Sequence, residues 1–234
     1  MTRLLLLSNS TQHGRKPLEH AADLFRSLFG SEVKRVTFVP FALHDLDAYT
    51  TTVRAAFEAM GFECRSVHEA ADPVAEVEQA QAIYTGGGNT FRLLDRVQRL
   101  GLVEPIRRRV ADGLPYTGAS AGSNLACPTI RTTNDMPIVE PPSFEALALI
   151  PFQINPHYLD PDPGSKHMGE TREQRLREFH EENDIAVLGL REGTGLLVAA
   201  EGARLVGERP ARLFRPGQEA VEFAAGAAVD ELFG

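Results

Sequence analysis

The residues best suited to chemistry lie in Tyr116-Thr117-Gly118-Ala119-Ser120-Ala121-Gly122-Ser123-Asn124-Leu125. A short strand-like run reaches a serine with a glycine two positions away on either side, then continues as a helix of small residues. This spacing predicts a nucleophile elbow, a strained strand-to-helix turn that only small neighbours tolerate and that lifts the serine hydroxyl clear of a sheet. A glycine-rich turn with an incidental serine gives the same pattern, so the surrounding residues must decide between the two.

A serine hydroxyl attacks a carbonyl only when a base takes its proton and a third group fixes the tautomer of that base. Of the seven histidines, His157 is best placed, since it follows an apolar run and Asn155-Pro156, where a strand end would present it. His13, His20, His44, His68 and His180 sit in early loops or on helix faces. Two carboxylates compete for the third position. Glu192 directly follows the apolar run 185–190 and should emerge at the same sheet edge as Ser120 and His157. Asp135 lies in the long loop after the elbow and is also available to hold a substrate ammonium group. Acyl transfer further needs donors aimed at a developing oxyanion. The Ala121 N–H is one. The other is expected from Gly86-Gly87-Gly88-Asn89, with Gly88 foremost, where missing side chains let backbone amides approach a ligand at a helix start. No Lys-Ser/Thr follows the three glycines, which places a phosphate-binding loop well below the oxyanion reading.

The elements that must position these groups alternate. Strands are expected within 1–8, 35–40, 62–67 and 82–85, and helices at 18–29, 45–60, 73–80, from about 89, and at 103–112. Residues 147–154 lead as a strand to His157, Thr171 and Gln174 form a capping box for a helix to about Asn183, and 185–190 is a late buried strand. Short apolar runs after Gly195 read as antiparallel edge strands. Such alternation implies a three-layer α/β/α fold around a mostly parallel sheet, as a single domain over 1–234, with ligands bound beyond the carboxyl ends of the strands. The loops 128–142 and 160–169 are natural covers for a site.

A formal net charge of −8 disfavours nucleic acid or an anionic membrane as the main partner. Cys64 and Cys127 are too few for a disulfide scaffold or a zinc site and read as buried thiols in a reducing cytosol. The apolar start, 1–8, is too short for a signal peptide or a membrane span and reads as a buried strand. Oligomeric state is left open, a homodimer included.

Several stretches taken together resemble the peptidase E family of bacterial α-aspartyl dipeptidases. They are Leu4-Leu5-Leu6-Leu7-Ser8-Asn9-Ser10-Thr11, Gly86-Gly87-Gly88-Asn89-Thr90-Phe91, the block 120–137, Gln153-Ile154-Asn155-Pro156-His157, and Gly169-Glu170-Thr171-Arg172-Glu173-Gln174-Arg175. The block after Ser120 is the most specific, and the likeness weakens after about Gly195. The resemblance implies a cytoplasmic serine peptidase that cleaves dipeptides with an N-terminal aspartate and needs no metal or other cofactor. It implies a fold similar to class I glutamine amidotransferase domains (flavodoxin-like), with serine in place of cysteine. The family's nucleophile falls on Ser120 and its histidine on His157, while its third member falls on either Asp135 or Glu192. Selectivity for aspartate requires a cation. Arg131 is the first choice and Arg172 and Arg175 follow, with Asn89 as a further substrate contact and Asp135 or Glu140 for the free amine.

Three rivals are weighed. A cyanophycinase-like hydrolase would release β-Asp-Arg units from a polymer. A metallopeptidase would use His157, Asp160, Asp162 and His167, whose spacing shares no helix. A non-catalytic domain could keep the amidotransferase-like fold, although an intact serine, histidine and both acids argue against decay.

Overall fold

The computed structural model describes residues 2–161, 164 and 168–234. The first half alternates as expected: β1 (Leu4–Leu7), α1 (Ala22–Phe29), β2 (Arg35–Val39), α2 (Leu46–Ala59), β3 (Glu63–Ser66), α3 (Pro73–Glu78), β4 (Ile83–Thr85), α4 (Thr90–Arg99), α5 (Val103–Ala111), β5 (Tyr116–Ala119) and α6 (Ala121–Leu125). The second half holds β6 (Gln153–Pro156), α7 (Arg172–Glu182), β7 (Val187–Leu190), β8 (Thr194–Ala199), β9 (Gly202–Gly207), β10 (Ala211–Phe214) and β11 (Val221–Phe223). Local chemistry starts the helices. Asp45, Asp72 and Asn89 each accept a backbone N–H of the first turn of α2, α3 and α4, and Thr171 with Gln174 closes a reciprocal capping box on α7.

A seven-stranded sheet runs in the order β3-β2-β4-β5-β1-β8-β9. Its members from β3 to β1 are parallel, and β8 and β9 are antiparallel. All four leucines of β1 are buried because this strand lies inside the sheet with both faces covered. Leu4 and Leu6 join one apolar cluster with α4 and α5, while Leu5 and Leu7 join a second with Phe25, Phe29 and Phe57. Burial of one such leucine stabilises the fold by roughly 1.5–3 kcal/mol.

Three expectations need correction. The strands that deliver His157 and Glu192 do not lie in the sheet that carries Ser120. They form a second sheet, β11-β10-β7-β6, in which β6 and β7 are parallel. The physical reason is that β8 pairs with β1 and occupies the edge that β6 and β7 would otherwise extend. Their apolar side chains Ile154, Leu188 and Leu190 instead pack into the cluster of Leu4 and Leu6. Secondly, 147–152 is irregular, and the strand is only Gln153–Pro156. Ala148 has a positive φ of 50°, and the amides of Leu147, Ala148 and Leu149 donate to carbonyls of Leu125, Cys127 and Ala126 around the end of α6. In addition, 18–29 begins as a 3-10 turn, Glu19–Ala21, because Leu18 sits at φ 61°. Among the described residues, no helix is long and apolar enough to cross a membrane.

Candidate active site

Ser120 stands between β5 and α6 at φ 54° and ψ −111°, a conformation that L-residues rarely adopt. Its N–H donates to the Leu7 carbonyl at 3.0 Å, tying the turn to β1. Both flanking glycines are required by contact. A Cβ at Gly122 would strike the Thr85 carbonyl, and one at Gly118 would strike the Gly122 carbonyl. The Tyr116 hydroxyl then donates to that same Gly122 carbonyl at 2.8 Å. The elbow is therefore a steric fit between β4, β5 and the first turn of α6.

His157 follows β6 and is itself left-handed, at φ 52°. Its Nε2 lies 3.0 Å from Ser120 Oγ, and its Nδ1 lies 2.8 Å from Glu192 Oε1. Glu192 arrives directly after β7 through Arg191. The imidazole is partly exposed and the Glu192 carboxylate about half exposed, at 39% and 56% of their side chains. The ring is thus oriented from one side by a carboxylate and reaches the hydroxyl from the other, the arrangement in which an imidazole can accept a serine proton.

What holds the two loops in place comes from the end of β1. Ser8, fully buried, accepts the His157 N–H at 2.9 Å and donates to the Leu190 carbonyl at 2.8 Å. Asn9 accepts the Gly193 N–H at 2.8 Å, next to Glu192. From the other side, buried Arg191 forms bidentate ion pairs with Asp160 and Glu222, fixing the chain just beyond His157 against β11. Sequence reasoning gave Ser8, Asn9 and Arg191 no role. The signals for the first two were their place in the resembling stretch 4–11 and at the carboxyl end of a buried strand, where sites of α/β sheets gather.

The remaining candidates fall around this line. Asp135 does not meet His157. One of its oxygens accepts the N–H and hydroxyl of Thr90 at 2.8 and 2.6 Å and the hydroxyl of Thr133 at 3.0 Å, at the start of α4. Arg172 is half-buried and has no ion-pair or hydrogen-bond partner among the described residues. Burial, then the charge of Arg175, lowers its pKa, and Asp135 partly opposes this. Arg131 is exposed, with its guanidinium 5.0 Å from the centre of the Phe144 ring, and shares no hydrogen bond with Ser120, His157 or Glu192. Asn89 spends its side chain on its own chain, accepting from the Arg92 N–H and donating to the Met136 carbonyl. Glu140 is exposed. A methyl placed at Gly87 would lie 3.7 Å from Ser120 Oγ, so the glycine run passes directly beside the serine. Of the residues weighed as a metal site, Asp162 and His167 lie outside the described residues, Asp160 is paired with Arg191, and His157 is paired with Glu192.

A carboxylate–imidazole–serine line is the arrangement many serine hydrolases use, and its presentation at the end of a parallel strand gives the chain the architecture of an α/β serine hydrolase. A sequence model of peptidase family S51 matches residues 4–206, and the chain belongs to that family. It is 60% identical over 229 residues to a protein named peptidase E from Streptomyces coelicolor, covering 98% of this chain and 94% of that one. It is 54% identical over 214 residues to a probable alpha-aspartyl dipeptidase from Drosophila melanogaster, covering 91% and 89%. The crystal structure of a peptidase from an acI-B1 actinobacterium shares the fold, with a TM-score of 0.73 at 19% identity over 98% of this chain and 96% of that one.

Proposed function

We propose that this chain is a serine dipeptidase that hydrolyses Asp-X dipeptides through an aspartyl-enzyme. The observation that carries the reading is the hydrogen-bonded line Glu192–His157–Ser120, with spacings of 2.8 and 3.0 Å. The names of the relatives supply the substrate class. Ser120 Oγ attacks the carbonyl carbon of the aspartyl residue while its proton passes to His157 Nε2. Glu192 holds the Nδ1 proton and balances the imidazolium. The carbonyl electron pair moves onto oxygen, where the amides of Gly88 and Ala121 receive it. On collapse, the C–N bond breaks and His157 Nε2 gives its proton to the leaving amine of X. Water then repeats the sequence on the ester, with His157 as its base, and releases aspartate.

For the aspartate side chain, Arg172 has stronger support than Arg131, because it is a half-buried cation near Asp135 with no ion-pair partner among the described residues, whereas Arg131 rests on Phe144. Asp135 keeps one oxygen without a bonded donor among the described residues and is suited to the substrate ammonium. Asn89 and Glu140 remain further contacts of this reading. A cytoplasmic setting suits the two free cysteines, both buried, whose thiols are pushed up to about 12 by that burial. The test is hydrolysis of Asp-Leu by Ser120→Ala. Turnover should fall by at least about 10⁴-fold with the fold retained, and a variant turning over at the wild-type rate would refute the assignment.

A further inference from the structure

Nothing in the reaction above accounts for Tyr49. It lies on α2, and its ring packs edge-on against Phe38 with centroids 5.1 Å apart. Its hydroxyl reaches through the gap left by the missing side chain of Gly86, where any Cβ would collide with it, and donates to the Gly87 carbonyl at 3.0 Å. Burial raises the pKa of this phenol, so it is a donor at every working pH.

That carbonyl belongs to the same peptide unit as the Gly88 N–H. In a planar trans peptide the two groups point in opposite directions. A hydrogen bond that fixes the carbonyl toward α2 therefore fixes the amide toward the other face, where Gly87 runs against Ser120. The Gly88 amide has no acceptor among the described residues. The unit also needs an external anchor. It joins two glycines, Gly88 sits at φ 134°, and no side chain of its own resists rotation of the peptide about its long axis.

We propose that Tyr49 is a positioning residue for the oxyanion hole: by holding the Gly87 carbonyl it keeps the Gly88 N–H aimed at the oxygen of the tetrahedral intermediate. This rests on the serine reading of Ser120. It assigns a role in transition-state stabilisation to a residue that touches neither substrate nor reacting atoms. Nothing in the sequence around Tyr49 marks it, since a tyrosine on an amphipathic helix is ordinarily core.

The test is Tyr49→Phe, which keeps the ring and its packing and removes one oxygen. Deleting an oxyanion donor outright costs about 10²–10³-fold in turnover. Loosening one should cost less, about 10–100-fold in kcat on Asp-Leu, with KM within about twofold. The boronic acid analogue of aspartate, whose boron accepts Ser120 Oγ to form a tetrahedral anion, should bind more weakly by the same factor. The melting temperature and the pH profile should stay near wild type, and kcat is taken per active site titrated with a serine-directed phosphonate. Wild-type kcat and wild-type boronate affinity in Tyr49→Phe would overturn the assignment. So would a loss confined to KM, or one that merely tracks a lower melting temperature. A wild-type protein indifferent to both the boronate and the phosphonate would strike instead at the serine reading, and this role would fall with it.

Discussion

Replacing Glu192 by Gln, with Asp135→Asn as its counterpart, separates two acids that are both near the site but bonded differently. In Glu192→Gln the side-chain length is kept and the amide oxygen can still accept from Nδ1, so the main loss is the charge that balances the imidazolium. Two unit charges about 4 Å apart attract by roughly 1 kcal/mol in water and roughly 4 kcal/mol near a protein surface. The Glu192 side chain is 56% exposed, which places this pair between those limits. A loss of about 2–3 kcal/mol in the transition state follows, or roughly 30–200-fold in kcat. This is far less than removal of the nucleophile. Asp135→Asn removes no contact to His157, because the Asp135 oxygen is bonded to Thr90 and Thr133. Its effect should appear mainly in KM, through the substrate ammonium and the neighbouring Arg172. The assay is steady-state hydrolysis of Asp-Leu across pH, with active sites titrated by a phosphonate. The reasoning is refuted if Asp135→Asn loses kcat as deeply as Ser120→Ala while Glu192→Gln stays within about threefold of wild type.

Two further predictions follow from the supports of the histidine loop. Ser8→Ala removes both the acceptor of the His157 N–H and a donor to Leu190, at a fully buried position. It should cost about 1–3 kcal/mol in urea unfolding and about tenfold in kcat at constant KM as His157 slackens, and unchanged kcat would show that the loop is held by other contacts. Arg191→Met removes the bidentate partner of Asp160 and Glu222, leaves them only the longer contacts to Arg212 at 3.9 and 3.7 Å, and should destabilise by roughly 2 kcal/mol at pH 7. That is below the roughly 3–5 kcal/mol of a fully buried pair, because both carboxylates are about half exposed. Hydrogen bonds from Arg191 hold Asp160 below the ordinary aspartate range. A carboxyl with a lowered folded pKa contributes its stability above the unfolded value, near pH 4, and loses it as pH falls through the folded value. The gap between wild type and Arg191→Met should therefore be widest above about pH 4 and narrow below it, and melting curves that stay equally far apart at pH 3 and pH 7 would contradict the pairing.

Much of this molecule can be read along the chain because its causes are local. Gly118 meets Gly122 within one turn of the elbow, Asp45, Asp72, Asn89 and Thr171 start helices with their own side chains, and the leucines of β1 declare a strand covered on both faces. The 147–152 stretch misled because its apolar residues are drawn to the end of α6 by hydrogen bonds no pattern of hydrophobicity records. Likewise the sheet of His157 and Glu192 could not be anticipated, because it is decided by the pairing of β8 with β1, strands that lie far apart in the chain, Leu4 against Val198 and Leu7 against Gly195.

The sequence by itself singled out Ser120 and its turn, His157, a short choice of acids and the family to which the chain belongs. Only the tertiary structure decided which acid faces the ring, that Ser8, Asn9 and Arg191 hold the loops that bring the groups together, and that Tyr49 grips the peptide beside Ser120. The physical reason is range. Backbone strain and capping are settled among neighbours in the chain, whereas the 3.0 Å contact of His157 with Ser120 depends on two sheets burying their leucines in one shared core.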